Sequence, residues 1–346
     1  MKTSSSKAHR SNEHGGALLA VLWISAALAA IALSVSTSIR SEADRAGTAA
    51  DGLRASYLAT GSVDRGIQWL LWGTGDGGRF FDHLHYAEKP RLYYSYASGD
   101  VVVEMMPEAA KLDINHASGD DLVRVISAVS GDPARAREIA DAIQGWRGGG
   151  SGANSSGQGS TFQARGASFE EIEELLLVPG MTPELFYGNY VADAEGHLSP
   201  RGGLRDSLSV WGSLAEFDAN AVSPALLEAL GASPGAVTQM VQQRARQPFR
   251  NMGEVAALGI PVGRLSLTAE HLIWNIRATA RLRRPNGTPS DVVRSASAIA
   301  KLVMPPRNRR TAPIQLRVLR FYEDAWSDFL PIPVSAPAAP TGVLLP

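Results

Sequence analysis

Few side chains in this sequence stand at spacings that do chemistry, and each such group meets an objection. Asp82-His83-Leu84-His85 would set two imidazoles on one face of a strand. Two histidines alone rarely hold a metal ion, so an exposed loop is the plainer reading. Asp113-Ile114-Asn115 opens like a calcium loop, but its fifth and sixth places are Ala117 and Ser118, which breaks the pattern. Capping of the next helix is the economical role for Asp113 and Asn115. Gly73-Thr-Gly-Asp-Gly-Gly78 matches a dinucleotide fingerprint by letter only. It follows a helical pattern rather than a strand, so it reads as a helix stop and turn. The run Gly148 to Ser160 lacks the Gly-Lys-Ser/Thr of a phosphate cradle and reads as a mobile loop. There is no Gly-x-Ser-x-Gly, no His-Glu-x-x-His and no cysteine, so no nucleophile is singled out and no catalytic or metal site is expected.

What remains is a set of hairpin-like turns. Lys111-Leu-Asp-Ile-Asn115-His-Ala-Ser is echoed by Glu216-Phe-Asp-Ala-Asn220-Ala-Val-Ser, each opening a helix. The second unit runs on through residues 230–235 and 248–255. A third turn is Pro179-Gly180-Met181-Thr182-Pro183 within Leu177 to Leu185. All three look like helix-hairpin-helix modules, which in DNA-binding versions hold a phosphate on backbone amides. Glu170, Glu171, Glu173, Glu174 and Glu184 surround the third hairpin and would repel phosphate, so it reads as a packing element. Arg244, Arg246 and Arg250 mark the one stretch where a phosphate could be bound. Formal charge is −1 over 346 residues, which argues against a chain whose main business is coating nucleic acid.

The length suits about two domains, and a 45% apolar share is enough to bury cores. The N-terminus carries the strongest signal. Residues 1–14 are polar and mostly basic, and no charge occurs from Gly15 to Ile39. A helix of that length spans the hydrocarbon layer, with the basic flank in the cytoplasm. Three readings fit: a cleaved signal with Ala27-Leu28-Ala29 as its site, a signal anchor, or a leader ending at Gly15-Gly16 that leaves the apolar helix on the mature chain. The apolar run passes without a break into a helical pattern reaching Trp72, which favours the last. Ala46, Ala50, Leu53, Tyr57, Val63, Ile67, Leu70 and Leu71 mark its inner face. Gly47, Gly52, Gly61 and Gly66 weaken it and allow a kink.

Arg91–Tyr96 and Val101–Met106 read as a β-hairpin. Helices are expected at 118–129, 134–146, 168–178, 182–190, 223–231, 234–246 and 251–258. Strands return at 271–283, 292–304 and 313–322, with turns at 284–289 and 305–310. These strands are expected to join the early hairpin in one antiparallel sheet, with the helices inserted between them. Leu330 to Pro346 holds five prolines and reads as extended or disordered.

The combination resembles the minor pseudopilin K family of the type II secretion pathway. The resemblance rests on Gly16-Ala17-Leu18-Leu19-Ala20-Val21-Leu22-Trp23, Lys111–Asn115, Ile139-Ala-Asp-Ala-Ile-Gln-Gly-Trp146-Arg, and Leu175-Leu-Leu-Val-Pro-Gly-Met-Thr-Pro-Glu-Leu185. It covers roughly residues 14 to 322, in order. It implies an α+β, pilin-like fold: a long N-terminal helix packed on an antiparallel sheet, with a large inserted all-α helix-hairpin-helix (SAM-like) domain. The divisions would be 1–15 leader, 16–39 transmembrane half-helix, 40–112 and 266–328 pilin-like halves, 113–265 insert and 329–346 tail.

The resemblance further implies a non-enzymatic subunit at the tip of a periplasmic pseudopilus, anchored by one span in the inner membrane. Its partners would be minor pseudopilins I and J, with H as a further candidate, together with prepilin peptidase and the secreted substrates. Cleavage would follow Gly15, or Gly16, with methylation of the new N-terminus. His14 stands where the family has Arg or Lys, and Trp146-Arg147 runs into glycines where the family is acidic, which puts the family's calcium in doubt. Pilin-like subunits generally carry a glutamate at the fifth mature position, thought to neutralise a neighbour's amine. Here that position is Ala20, or Val21 for the other cut, as suits a subunit with none above it. The runner-up reading is a membrane-anchored helix-hairpin-helix protein holding DNA at the envelope.

Overall fold

A computed structural model describes residues 13–75, 80–81, 83–88, 90–148, 166–192, 198–267, 272–303 and 314–325. Its first element, α1, runs without interruption from Glu13 to Trp72. Sixty residues at 1.5 Å each make a rod of about 90 Å. Gly73 ends it, as the glycine cluster suggests, and the turn leads into a two-residue ladder, β1 (Thr74–Gly75) with β2 (Phe80–Phe81). The Asp82–His85 segment departs from the expected loop. Its histidines fall in a short helix, α2 (His83–Glu88). The His85 ring stacks on Trp69 at 4.5 Å, and its Nε2 meets the Trp69 carbonyl at 2.9 Å. A packing contact thus holds this histidine in place. Strands β3 (Arg91–Tyr96) and β4 (Gly99–Pro107) form the expected hairpin.

The chain then leaves the sheet for a helical insert. It contains β5 (Leu112–Asp113), α3 (Gly119–Ser130), α4 (Pro133–Gly148) and a 3₁₀ turn at Ile172–Leu177. There follow α5 (Pro183–Tyr187), the hairpin β6 (Gly188–Ala192) with β7 (Leu198–Gly202), β8 (Leu208–Ser209) and β9 (Phe217–Asp218). It closes with α6 (Pro224–Ala229), α7 (Pro234–Arg246), α8 (Met252–Ala256) and β10 (Leu265–Ser266). Ser118, Thr182, Ser223, Ser233 and Asn251 cap α3, α5, α6, α7 and α8 through their side chains. So the cap of α3 is Ser118, not Asp113 or Asn115. The helix expected at 168–178 is a 3₁₀ turn, because Pro179 and Gly180 (φ +83°) follow at once. The one expected at 182–190 stops at Tyr187. Gly188 takes φ +91°, and a β-carbon there would lie 2.2 Å from the Arg201 carbonyl oxygen of the paired strand. Of the loop expected at 148–160, Gly148 ends α4 and the rest lies outside the described residues.

Three long strands follow: β11 (Ile273–Arg283), β12 (Pro289–Val303) and β13 (Gln315–Tyr322). They complete an antiparallel sheet of order β13-β12-β11-β4-β3. The turn expected at 284–289 joins β11 to β12 through Gly287; 305–310 and the proline-rich 329–346 lie outside the described residues. Burial alternates along β11, so Trp274, Ile276, Ala278 and Ala280 face α1. On the opposite face Glu104 accepts hydrogen bonds from Arg91 (2.9 Å) and Arg277 (2.6 Å).

The second half of α1 lies on this sheet, and the face the apolar periodicity marks is the right one from Val63 on, where Val63, Ile67, Leu70 and Leu71 pack, but not before it. Leu53 and Tyr57 are 57% and 74% exposed, and Ala46 and Ala50 point to solvent. The contact face is Gly52, Ala55, Ala59, Ser62, Val63, Gly66 and Leu70. Small residues let the helix come close. A β-carbon on Gly66 would lie 2.6 Å from Ile276 Cγ2 and 2.8 Å from Val103 Cγ1. Two apolar cores result, one between α1 and the sheet and one inside the insert.

Candidate functional site: the anchor helix and the paired modules of the insert

Among the described residues, the first half of α1 is exposed all along. Its most apolar 18-residue window has mean hydropathy 2.5 and is 0% buried. Leu18, Leu19, Val21, Leu22 and Trp23 are between 60% and 74% exposed, and Ala17 and Ala20 are exposed with them. Apolar side chains held fully in water all along a helix cost about 1.5–3 kcal/mol each, so this surface needs lipid or other helices. The hydroxyls of Ser25 and Thr37 donate to the carbonyls of Leu22 (2.9 Å) and Ser34 (2.8 Å), so neither asks for water. Gly15 and Gly16 lie within the first turns of the helix. Gly16 is exposed, with no neighbour within 4 Å of where a β-carbon would sit.

The echo seen in the sequence is a structural duplication. In the first unit Asp113 Oδ1 accepts from the Asn115 amide at 2.8 Å. Asn115 clamps the backbone of Phe169, accepting from its N–H at 2.7 Å and donating to its carbonyl at 2.9 Å. Arg147 donates to the carbonyls of Ile114 (2.8 Å) and Ala117 (3.0 Å). The second unit repeats every contact. Asp218 Oδ1 accepts from the Asn220 amide at 2.8 Å, and Asn220 clamps Phe249 at 2.8 and 3.2 Å. Arg244 donates to the carbonyls of Ala219 and Val222 at 3.4 and 2.7 Å. Each arginine ends a helix and plugs the loop before the partner helix. Burial pushes both guanidinium groups below their ordinary pKa, while Asp113 and Asp218 work against that shift. Arg147, Arg244, Phe169 and Phe249 carry these modules, and only the repeated Asp-x-Asn…Ser signalled them.

The units differ at their second carboxylate oxygen. Asp113 Oδ2 meets exposed His116 at 2.8 Å. Asp218 is fully buried and accepts from the Tyr86 hydroxyl, whose ring meets Trp274 of the sheet edge-on at 4.5 Å. The second module is therefore bolted to the unit formed by α1 and the five-stranded sheet. Glu171 adds another tie, accepting from Tyr322 and pairing with Arg320 at 3.2 Å.

The Pro179–Pro183 hairpin is held to the insert on one side, with Pro179, Gly180 and Pro183 exposed. Arg135 donates to the Gly180 carbonyl at 3.0 Å, and a β-carbon on Gly180 would come within 3.1 Å of Ile139. Thr182 caps α5, with Pro183 in its first turn, while Met181 rests on the insert's core. The basic stretch does not gather a phosphate site: Arg244 is spent on carbonyls, and Arg250 pairs with Glu88 at 3.3 Å. Among the described residues no three His, Asp or Glu side chains converge as metal ligands.

No family model and no curated protein matches the chain. Among solved structures it is similar to a chain of the GspK–GspI–GspJ complex from the type 2 secretion system of enterotoxigenic Escherichia coli. The two are 14% identical, the match covers 80% of this chain and 97% of that one, and the TM-score is 0.49.

Proposed function

We propose that this chain is a minor pseudopilin of a type II secretion system, a structural subunit rather than an enzyme. The observation that carries the reading is α1. Its first half is a bare apolar rod of membrane length, and its second half is the spine of a folded head. Such a rod serves lateral packing with other rods in the bilayer and in a filament. Residues 1–15 (or 1–16) are a cytoplasmic leader that prepilin peptidase removes, and the sheet and insert lie in the periplasm. With Ala20 or Val21 in place of a glutamate, the rod offers no carboxylate to an amine above it, which suits the pseudopilus tip. The partners are the minor pseudopilins I and J. The DNA-binding alternative is less favoured, since of Arg244, Arg246 and Arg250 the first is spent on backbone carbonyls and the last pairs with Glu88, while Arg246 is exposed.

The test is processing. Co-expression with a prepilin peptidase should reduce the intact mass by residues 1–15 or 1–16, and a Gly15→Val, Gly16→Val double change should abolish the loss. A mature chain beginning near Ile31 would sink the reading. Soluble heads mixed with heads of candidate I and J subunits should co-elute as one complex; duplex binding that weakens with salt would instead favour the DNA reading.

A further inference from the structure

We propose that a hollow in the insert binds a single carboxylate group, either a free small acid or the tip of an acidic side chain from another protein. The hollow lies between the last turn of α3, the first turns of α4 and α5, and the β6–β7 hairpin. Its volume is about 140 Å³. Arg135, Arg201, Thr182, Asn189 and Glu184 are among the side chains that line it.

Most of these groups have hydrogens left to offer. Arg135 donates to the Gly180 carbonyl at 3.0 Å and to the Thr182 hydroxyl oxygen at 3.5 Å, both from Nη2, so Nε and Nη1 remain. Thr182 Oγ1 accepts from Arg135 and from the Leu185 amide, which leaves its own proton to donate. Arg201 and Asn189 are cross-strand partners on the hairpin. Arg201 reaches the Ala128 carbonyl only at 3.5 Å, too long for a strong hydrogen bond, and no acid pairs with it among the described residues.

Charge and size name the guest. Two arginines against one glutamate leave the lining with a net charge of +1, and Glu184 pairs with neither arginine among the described residues. A monoanion balances that charge, whereas Glu184 would repel a phosphate dianion more strongly. A carboxylate is planar and matches the fork of a guanidinium with two parallel hydrogen bonds. Pockets for whole ligands begin at about 300 Å³. The hollow is under half that size, so it admits an end group.

The probe is acetate, titrated against the full chain in deuterated detergent micelles, with sodium chloride holding the ionic strength constant. Saturation transfer to the acetate methyl reads the binding. Arg201→Gln should raise the half-saturating concentration about tenfold or more, as expected for one lost charge-assisted hydrogen bond. Glu184→Gln should lower it severalfold, because a like charge is removed. A folding defect would weaken binding in both variants, so the opposite signs identify the site. A glutamate blocked at both ends is the second probe. If it binds more tightly than acetate, the guest is a side chain; if acetate alone binds, the guest is a free acid. The proposal is overturned by the lack of a saturable acetate signal, by half-saturation unchanged or weakened in both variants, or by tighter binding of inorganic phosphate.

Discussion

Replacing Gly66 with alanine isolates the closeness of the helix to the sheet. The added carbon would sit 2.6 Å from Ile276 Cγ2 and 2.8 Å from Val103 Cγ1, where carbon pairs rest at about 3.5–4.0 Å. Helix and sheet must then part by about 1 Å or the branched side chains must leave their rotamers, at about 1–3 kcal/mol. Alanine also favours the helix over glycine by about 1 kcal/mol, so the net loss is about 0–2 kcal/mol. Gly61 supplies the control. Nothing lies within 4 Å of its added carbon, so Gly61→Ala keeps the propensity gain without the clash. The two variants should differ by the steric part alone, about 1–3 kcal/mol. Urea unfolding of the head from Arg40 onward reads the difference, and hydrogen exchange along β11 localises it. Equal midpoints for the two variants would refute the close-packing account.

Three further outcomes are expected. Asn220→Ala and Asn115→Ala each strip both bonds from a phenylalanine backbone and should each cost about 1–3 kcal/mol in thermal unfolding of the head; a cost near zero would mean the clamps are ornamental. Burial alone would raise the pKa of Asp121, but hydrogen bonds from Arg124, Arg264 and Ser118 outweigh it and hold the carboxyl below its usual range. Its contribution is therefore present above the unfolded value near 4 and fades as pH falls below it, so Asp121→Asn should flatten the acid limb of the stability profile. Leu22→Arg with Ile24→Arg should release the chain from carbonate-washed membranes, since each charge costs about 2.5–3.5 kcal/mol at mid-bilayer; a chain that stays bound would refute the anchor.

Much of the architecture was legible because two periods dominate the chain. The uncharged run to Ile39 and the helical pattern beyond it announced one rod, and the alternation in β11 announced a half-buried strand. The contact face of the rod was read correctly from Val63 on but misjudged before it, for a physical reason. Leu53 and Tyr57 draw the eye as apolar, but a helix laid close on a sheet selects Ala55, Ala59 and Gly66. The roles of Asp113 and Asn115 were misjudged because the partner of Asn115, Phe169, stands 54 residues away. Spacing along the chain carries no sign of such a pairing, and only its repetition at Asp218 and Asn220 did.

The insert enters and leaves the sheet at neighbouring strands, since Trp274 of β11 is opposite Pro107 of β4. On a ribosome this has a fixed order of events. The first hairpin waits with one edge open while the whole insert is made, because its central partner strand is synthesised only afterward. Closing so long a loop costs little more than closing a moderate one, as the entropy grows only with the logarithm of length. The delay is in time, and through that delay the exposed edge of β4 must be kept from pairing with some other nascent chain.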